Sequence, residues 1–233
     1  MASQVYKTLA KIVGIVLILG GAVAIFAGNF TGGFIKSQLE DQAVVLPTEE
    51  AIDAQLESGR IQQEDADALR PVAGEAVTTG KQAEIFANHY IYAHMKAGVA
   101  GAGLPEGTTY ATVGGITSEK TAELTEEVAA DNPDADEATV AKLVQAEIND
   151  PMTEYALAEE VASLNDLRYS TLLDGNTLRG MLLNAYGWGM IGTIATWAGI
   201  GAIVIGLALT AFGFLYKGRK DEVVVREDRV DHA

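Results

Sequence analysis

The stretch Ile12-Val-Gly-Ile-Val-Leu-Ile-Leu-Gly-Gly-Ala-Val-Ala-Ile-Phe26 decides the fold class, because it is almost purely aliphatic. No charged residue occurs between Lys11 and Lys36. About 20 apolar residues in a helix span a hydrocarbon core about 30 Å thick, so the segment 12–34 is predicted to cross a membrane. A secretory signal peptide is the alternative, since Lys7 and Lys11 would form its basic region. The favoured interpretation keeps the segment in the mature protein.

A second uncharged run extends from Gly180 to Tyr216, and its thirty-seven residues are more than one perpendicular helix needs. We predict an interfacial segment at 181–190 and a transmembrane helix at 191–216. Aromatic side chains with a polar edge favour the membrane–water interface. The predicted interfacial residues are Tyr186, Trp188, Trp197 and Tyr216.

Small residues recur at spacings of three and four in the second span, which is typical of helices that approach each other closely. The predicted helix-packing residues are Ala195, Ala198, Gly199, Ala202 and Gly206. The first span has small positions at Gly14, Gly20, Gly21 and Gly28. This pattern does not decide whether the spans pack on each other or on an external partner. Neither span contains an ionisable residue, which argues against an ion path or a proton relay.

The charges of the chain are unevenly distributed. The whole chain carries 16 basic and 32 acidic residues, a net charge of -16, and the segment 36–179 alone has nine basic and twenty-seven acidic residues. So much negative charge repels phosphate backbones and argues against a nucleic-acid binder. The imbalance lies between the two spans, in the segment 35–180.

Basic residues beside the spans predict the orientation in a plasma (inner) membrane. Lys7 and Lys11 precede the first span, and Lys217, Arg219 and Lys220 follow the second. Residues 1–11 and the charged tail 217–233 are therefore expected in the cytoplasm, so that both termini are cytoplasmic. The acidic segment 35–180 is then expected outside.

The sequence of the outer segment predicts a series of helices. They are predicted to begin near Thr48, Asp65, Thr79, Ser118, Asp134 and Thr153, and Thr79 has the capping-box spacing with Gln82. Glycines and Pro105 predict a loop, in which Thr108 to Val113 is expected to be extended or a short strand. The predicted fold class is mainly α, with two transmembrane helices flanking a mostly helical extracytoplasmic domain.

Few residues of the chain suggest chemistry. The absence of cysteine excludes disulfides, thiolate metal sites and a cysteine nucleophile. His89 and His94 are five residues apart, so a regular helix does not easily bring both to one metal ion. No common catalytic or nucleotide-binding motif occurs. We therefore predict a protein that is not an enzyme and has no cofactor.

The densest group of oxygen ligands is Asp131-Asn-Pro-Asp-Ala-Asp-Glu137. Asp131, Asp134 and Asp136 are the candidates for a calcium site, but the central glycine and terminal glutamate of an EF-hand loop are missing. The favoured interpretation is a turn followed by an acidic helix N-terminus, with Asp134 as the N-cap. No metal site is predicted.

Several stretches resemble a family of actinobacterial two-span membrane proteins. The stretches are Thr79-Gly-Lys-Gln-Ala83, Phe86-Ala-Asn-His89, Tyr92-Ala-His94, Thr109-Tyr-Ala111 and Thr177-Leu-Arg-Gly-Met-Leu-Leu-Asn-Ala-Tyr186. In size and layout this 24.5 kDa chain is also similar to an accessory subunit of the corynebacterial respiratory supercomplex of cytochrome bcc and cytochrome c oxidase. The resemblance implies respiratory-complex subunits as partners and no reaction, and the two predicted spans imply contact with membrane lipids.

The leading hypothesis is a non-catalytic accessory membrane subunit that stabilises or bridges its partners. The alternative is an envelope sensor or binding protein whose acidic outer domain recognises a cation or a basic peptide. An assembly factor that leaves the finished complex would have the same sequence features as a resident subunit.

Overall fold

The computed structural model describes residues 2–215, and this part of the chain is helical without a strand. The mainly α prediction is confirmed. Tyr216 and the tail 217–233 lie outside the described residues. The helices are α1 (Ala2–Asp41), α2 (Glu49–Glu57), α3 (Gln63–Leu69), α4 (Gly80–Ile85), α5 (Tyr92–Gly101), α6 (Tyr110–Asp131), α7 (Glu137–Ile148), α8 (Ala156–Asp166) and α9 (Asp174–Leu215), with a short 3-10 turn at Arg70–Val72.

Two helices are long and apolar enough to cross a membrane, as the sequence predicts. They cover Gln4–Asp41 and Ala156–Leu215. The second runs without a break through α8, a π-helical segment at Leu167–Leu173 and α9. The predicted interfacial segment 181–190 is thus a continuous part of α9.

The chain divides into two compact units. Among the described residues, the helix-pair unit consists of residues 2–31 and 191–215, and the domain unit consists of Gly32–Met190. In the helix-pair unit, the described residues of α1 and α9 run antiparallel, because Gly14 lies beside Gly206 and Gly28 lies beside Gly192.

The domain unit buries three apolar clusters. The largest joins the C-terminal end of α1 to α2, α3 and α4. It contains Leu46, Ile52 and Leu69, each at most 2% exposed. A second lies between α5, α6 and the π-helical segment after α8, around Val113. The third holds α6, α7 and α8 together around Leu124 and Val128.

Side-chain caps fix several helix starts. The Thr48 hydroxyl accepts from the Ala51 N–H, and Thr79 and Gln82 form the predicted capping box, which is confirmed. The predicted cap at Asp134 is wrong, because the Asp136 carboxylate accepts from the Thr139 N–H at 2.9 Å and α7 begins at Glu137. An N-cap carboxylate satisfies an amide that the helix itself leaves unpaired.

The expected extended piece from Thr108 to Val113 is also wrong. The Thr109 side chain accepts from the Thr112 N–H, and α6 begins at Tyr110. Val113 is fully buried on this first turn, and α6 continues through Gly114 and Gly115. Tertiary burial therefore outweighs the low helix propensity of the two glycines.

Two π-helical segments interrupt the α-helical register of the domain unit. One is Phe86–Ile91, between α4 and α5, and the other is Leu167–Leu173. Such segments are rare and are frequent at functional sites. The first contains His89, and the second faces a cavity with Leu172.

Candidate functional site: the glycine-lined helix pair

Glycines recur every seven residues on both facing helices of the helix-pair unit. The first helix contributes Gly14, Gly21 and Gly28, and the second contributes Gly192, Gly199, Gly206 and Gly213. All seven are buried, and the first three lie against Gly206, Gly199 and Gly192 respectively. The two predicted spans therefore pack on each other through their smallest residues.

The backbones approach so closely that no larger residue fits at these positions without movement. A Cβ at Gly21 would lie 2.6 Å from the Gly199 carbonyl oxygen, and a Cβ at Gly199 would lie 2.6 Å from the Gly21 oxygen. A Cβ at Gly206 would lie 2.6 Å from the Gly14 oxygen. Because these distances are below van der Waals contact, glycine is required for this spacing.

The side chains beside the glycines complete the contact. Ile25 packs over Gly199, Ile18 over Gly206 and Ile203 over Gly21. The Thr196 hydroxyl donates to the Gly192 carbonyl oxygen at 2.9 Å, so this polar group is satisfied within its own helix. A strict seven-residue repeat predicts a left-handed supercoil for the pair.

The predicted helix-packing residues occupy different positions on this pair. Gly199 and Gly206 are buried in the contact, Ala195 and Ala202 are half-buried beside it, and Ala198 is exposed. Sequence reasoning missed Gly192 and Gly213, although the seven-residue glycine repeat was visible in the sequence. The prediction followed the three- and four-residue spacings of small residues, which include positions outside this repeat.

Large apolar side chains cover the outside of the pair. Phe26 is 73% exposed, Trp197 is 69% exposed and Val204 is 60% exposed. Within the described residues, the surface that lipid or another membrane protein would meet is built from such side chains, because the glycine face is already occupied.

The predicted interfacial aromatic residues are divided between the units. Tyr186 is half-buried and Trp188 is 55% exposed in the domain unit, whereas Trp197 belongs to the helix-pair unit. Gly80, at the start of α4, lies against Tyr186, since a Cβ at Gly80 would be 3.0 Å from the Tyr186 Cα. Tyr216 is outside the described residues.

The acidic stretch 131–137 forms a helix connection. The Tyr155 hydroxyl donates to the Asp131 carboxylate at 3.0 Å, and Asp136 caps α7. Hydrogen bonds from Thr139 lower the pKa of Asp136. Asp134 is exposed. Between residues 2 and 215, no group of three or more histidine, cysteine, aspartate or glutamate side chains is placed to hold a metal ion.

The two central histidines have different surroundings. His89 Nδ1 lies 3.0 Å from the carboxylate of Asp65, which is only 5% exposed and also accepts from the Gln62 N–H. His94 Nδ1 lies 2.6 Å from the Tyr90 carbonyl oxygen, which can only accept, so Nδ1 carries the proton. The structure therefore gives His89 a buried carboxylate partner and His94 a backbone partner.

A chain of polar side chains connects α4 to α9. Lys81 pairs with Glu84 at 2.6 Å, the Asn88 side-chain amide donates to Glu84 at 2.8 Å, and Arg179 donates to the Asn88 side-chain oxygen Oδ1 at 3.0 Å. Burial raises the pKa of Glu84, but the hydrogen bonds from Lys81 and Asn88 outweigh burial and lower it overall. The Lys81 pKa is raised by its hydrogen bond to Glu84.

Comparisons of the chain with protein-family models, with curated proteins and with solved structures found no match.

Proposed function

We propose that this chain is a non-catalytic accessory subunit of a membrane complex. Its two helices would anchor it beside larger membrane proteins, while its acidic domain would cover or bridge partners on the outer face of the plasma membrane. The sequence resemblance leads us to propose the actinobacterial respiratory supercomplex of cytochrome bcc and cytochrome c oxidase as that complex.

The observation that carries the proposal is the glycine-lined pair. Gly21 and Gly199 bring the backbones of the two spans together. Each span therefore covers the small-residue face of the other, and no third helix is needed to cover it. The side chains left for external contacts are large and apolar, among them Phe26 and Trp197. Close van der Waals packing is the main force between membrane helices, and these side chains provide the surface for it.

The charge of the domain supports a bridging role. Between residues 36 and 179, acidic residues outnumber basic residues three to one. The segment 119–160, which contains α7 with parts of α6 and α8, has thirteen acidic and two basic residues. Such a surface favours association with a basic partner surface and disfavours acidic ones. The basic residues Lys7 and Lys11 support a cytoplasmic N-terminus in this arrangement.

Purification of the tagged chain in mild detergent tests the proposal. We expect other membrane proteins to copurify, identified by mass spectrometry, and haem absorption bands to appear in the visible spectrum if the complex is respiratory. Trp197→Ala should weaken this association, and Trp197→Phe, which keeps an aromatic ring, should retain it. Migration of the mildly solubilised chain as a lone monomer would overturn the proposal.

A further inference from the structure

A cavity of about 480 Å³ in the domain unit has features that the proposed subunit role does not use. It lies beside α5, between the turn that follows α2 and the turn that follows α5. Its walls include Arg60, Lys96, Leu104 and Leu172. Cavities of this volume accommodate small molecules.

Two helix ends fix the rim of the cavity. Gly59 has a φ of 72° and ends α2, and the N–H of the next residue, Arg60, donates to the Gln55 carbonyl oxygen at 2.9 Å. Gly103, with a φ of 70°, ends α5 in the same way, and the Leu104 N–H donates to the Val99 carbonyl oxygen at 3.1 Å. Because a positive φ suits glycine, these two turns hold the Arg60 and Leu104 backbones in place.

The floor of the cavity is apolar and well packed. Met95 is 5% exposed, Val99 is 6% exposed and Leu172 is 3% exposed, and all three belong to one buried cluster. An apolar ligand group placed here would be removed from water, which is favourable in proportion to the apolar area buried.

Among the described residues, no carboxylate lies within ion-pair distance of Arg60 or Lys96, although acids outnumber bases three to one in this part of the chain. Lys96 Nζ instead lies 5.2 Å from the centre of the Tyr92 ring. The Arg179 guanidinium lies 4.5 Å from the same ring.

The acidic groups of the cavity are less available than the cations. Asp65 is buried, and its two oxygens are bonded to His89 Nδ1 and to the Gln62 N–H. Glu106 is exposed on the rim. Among the described residues, the cavity therefore has two cations without an ion-pair partner, one exposed carboxylate and one carboxylate that already has hydrogen-bond partners, so it favours an anion.

We propose that this cavity binds a small amphipathic carboxylate. The carboxylate group would bind Lys96 and Arg60, and the apolar body would pack against Met95, Val99 and Leu172. Asn176, on the wall beside Leu172, would provide an amide hydrogen bond. The site does not depend on the proposed subunit role, because all of its residues belong to the domain unit.

Fluorine NMR of the full chain in lipid nanodiscs tests the proposal, with para-fluorophenylacetate as the probe and empty nanodiscs as the blank. Two analogues of this probe have the same ring but a different head group. The amide of para-fluorophenylacetate is neutral, and para-fluorophenethylammonium is positively charged. We expect the carboxylate to bind at least about tenfold more tightly than either analogue, because a hydrogen bond to a charged group contributes about 1.5 to 3 kcal/mol. Equal or tighter binding of the amide or the ammonium probe overturns the proposal.

Two variants locate the binding site. The double variant Arg60→Gln with Lys96→Gln should weaken carboxylate binding about tenfold or more. Lys142→Gln, at an exposed lysine of α7, should leave binding unchanged and is the matched control. Ala100→Trp, at an exposed position on the cavity wall, should block binding without disturbing the buried cluster. Unchanged binding in both the double variant and Ala100→Trp overturns the proposal.

Discussion

Neighbouring glycines in the first span have opposite structural roles. A Cβ added at Gly21 would lie 2.6 Å from the Gly199 carbonyl oxygen and 2.8 Å from an Ile203 side-chain carbon, whereas a Cβ at Gly20 would meet no atom within 4 Å. Gly21→Ala should therefore force the helices apart and destabilise the pair by about 1 to 3 kcal/mol. Thermal unfolding in detergent, followed by circular dichroism, measures the effect as a lower melting temperature.

Gly20→Ala is the matched control for this substitution. Alanine has a higher helix propensity than glycine by about 1 kcal/mol, so the melting temperature should stay the same or rise. The second helix offers the same comparison, because a Cβ at Gly199 lies 2.6 Å from a carbonyl oxygen and one at Gly201 meets nothing within 4 Å. If alanine at Gly20 and at Gly21 lowered stability equally, the described packing of the pair would be wrong.

The Glu84 carboxylate should make stability depend on pH in the acid range. Its pKa is lowered from the ordinary value of 4.5 by hydrogen bonds from Lys81 and Asn88, which outweigh burial. A group whose pKa is lower in the folded state stabilises the fold above its unfolded pKa, and this contribution is lost as the pH falls through the folded pKa. Glu84→Gln should therefore reduce the loss of stability below about pH 4.5.

Melting temperatures of the Glu84→Gln variant and the parent chain measure this contribution. They are compared between about pH 3 and pH 7, because carboxylates ordinarily have pKa values of about 4. Many other carboxylates titrate in the same range, so the difference between the two proteins is the relevant quantity. Glu64→Gln, at an exposed glutamate of α3, is the control and should follow the parent chain. Parallel curves for the Glu84→Gln variant and the parent would contradict the expectation.

At the scale of helices, the capping box of α4 stabilises the start of a continuous helical segment that extends to Gly101. The Thr79 hydroxyl accepts from the Gln82 N–H at 3.2 Å, and the Gln82 side-chain oxygen accepts from the Thr79 N–H at 3.0 Å. Thr79→Ala should destabilise the domain by about 1 kcal/mol. Thr79→Ser keeps the accepting oxygen and should retain most of the stability. Chemical unfolding in detergent measures both, and equal losses would contradict a capping role.

The sequence predicted this helix start because the capping box is a local pattern. Threonine and glutamine three residues apart can exchange both hydrogen bonds without any tertiary contact. The start of α6 could not be found in the same way. Burial of Val113, together with the Thr109 cap, keeps Tyr110 to Gly115 helical, and burial depends on packing between α6 and the segment after α8.

The sequence predicted which types of residue form the contact between the two spans, but not which individual positions lie in it. Small residues in both spans indicated close helix packing, but the choice between Ala198 and Gly199 as the contacting residue depends on the orientation of two helices about their axes. Three- and four-residue spacings mark a broad stripe, whereas the seven-residue repeat of Gly14, Gly21 and Gly28 selects one line along the helix. The cavity beside α5 was not predicted, because its walls come from segments far apart in the sequence.

For the whole molecule, the distribution of charge predicts which side of the membrane each segment occupies. Lys7 and Lys11 lie ahead of the first span, and the strongly acidic segment 36–179 lies between the spans. Basic residues near a span are retained in the cytoplasm, so the N-terminus should be inside and the domain outside. The chain has no cysteine, which allows this orientation to be tested with single introduced thiols.

Two single-cysteine variants should label from opposite sides of the membrane. Ala138 is exposed on α7, so Ala138→Cys should react with a membrane-impermeant maleimide in intact cells. Ser3→Cys, ahead of the first span, should react only after the membrane is permeabilised, because the basic residues that follow it favour the cytoplasmic side. Labelling is measured as a gel shift, with the cysteine-free parent as the blank. Reaction of Ser3→Cys in intact cells, with protection of Ala138→Cys, would reverse the orientation and place the acidic domain in the cytoplasm.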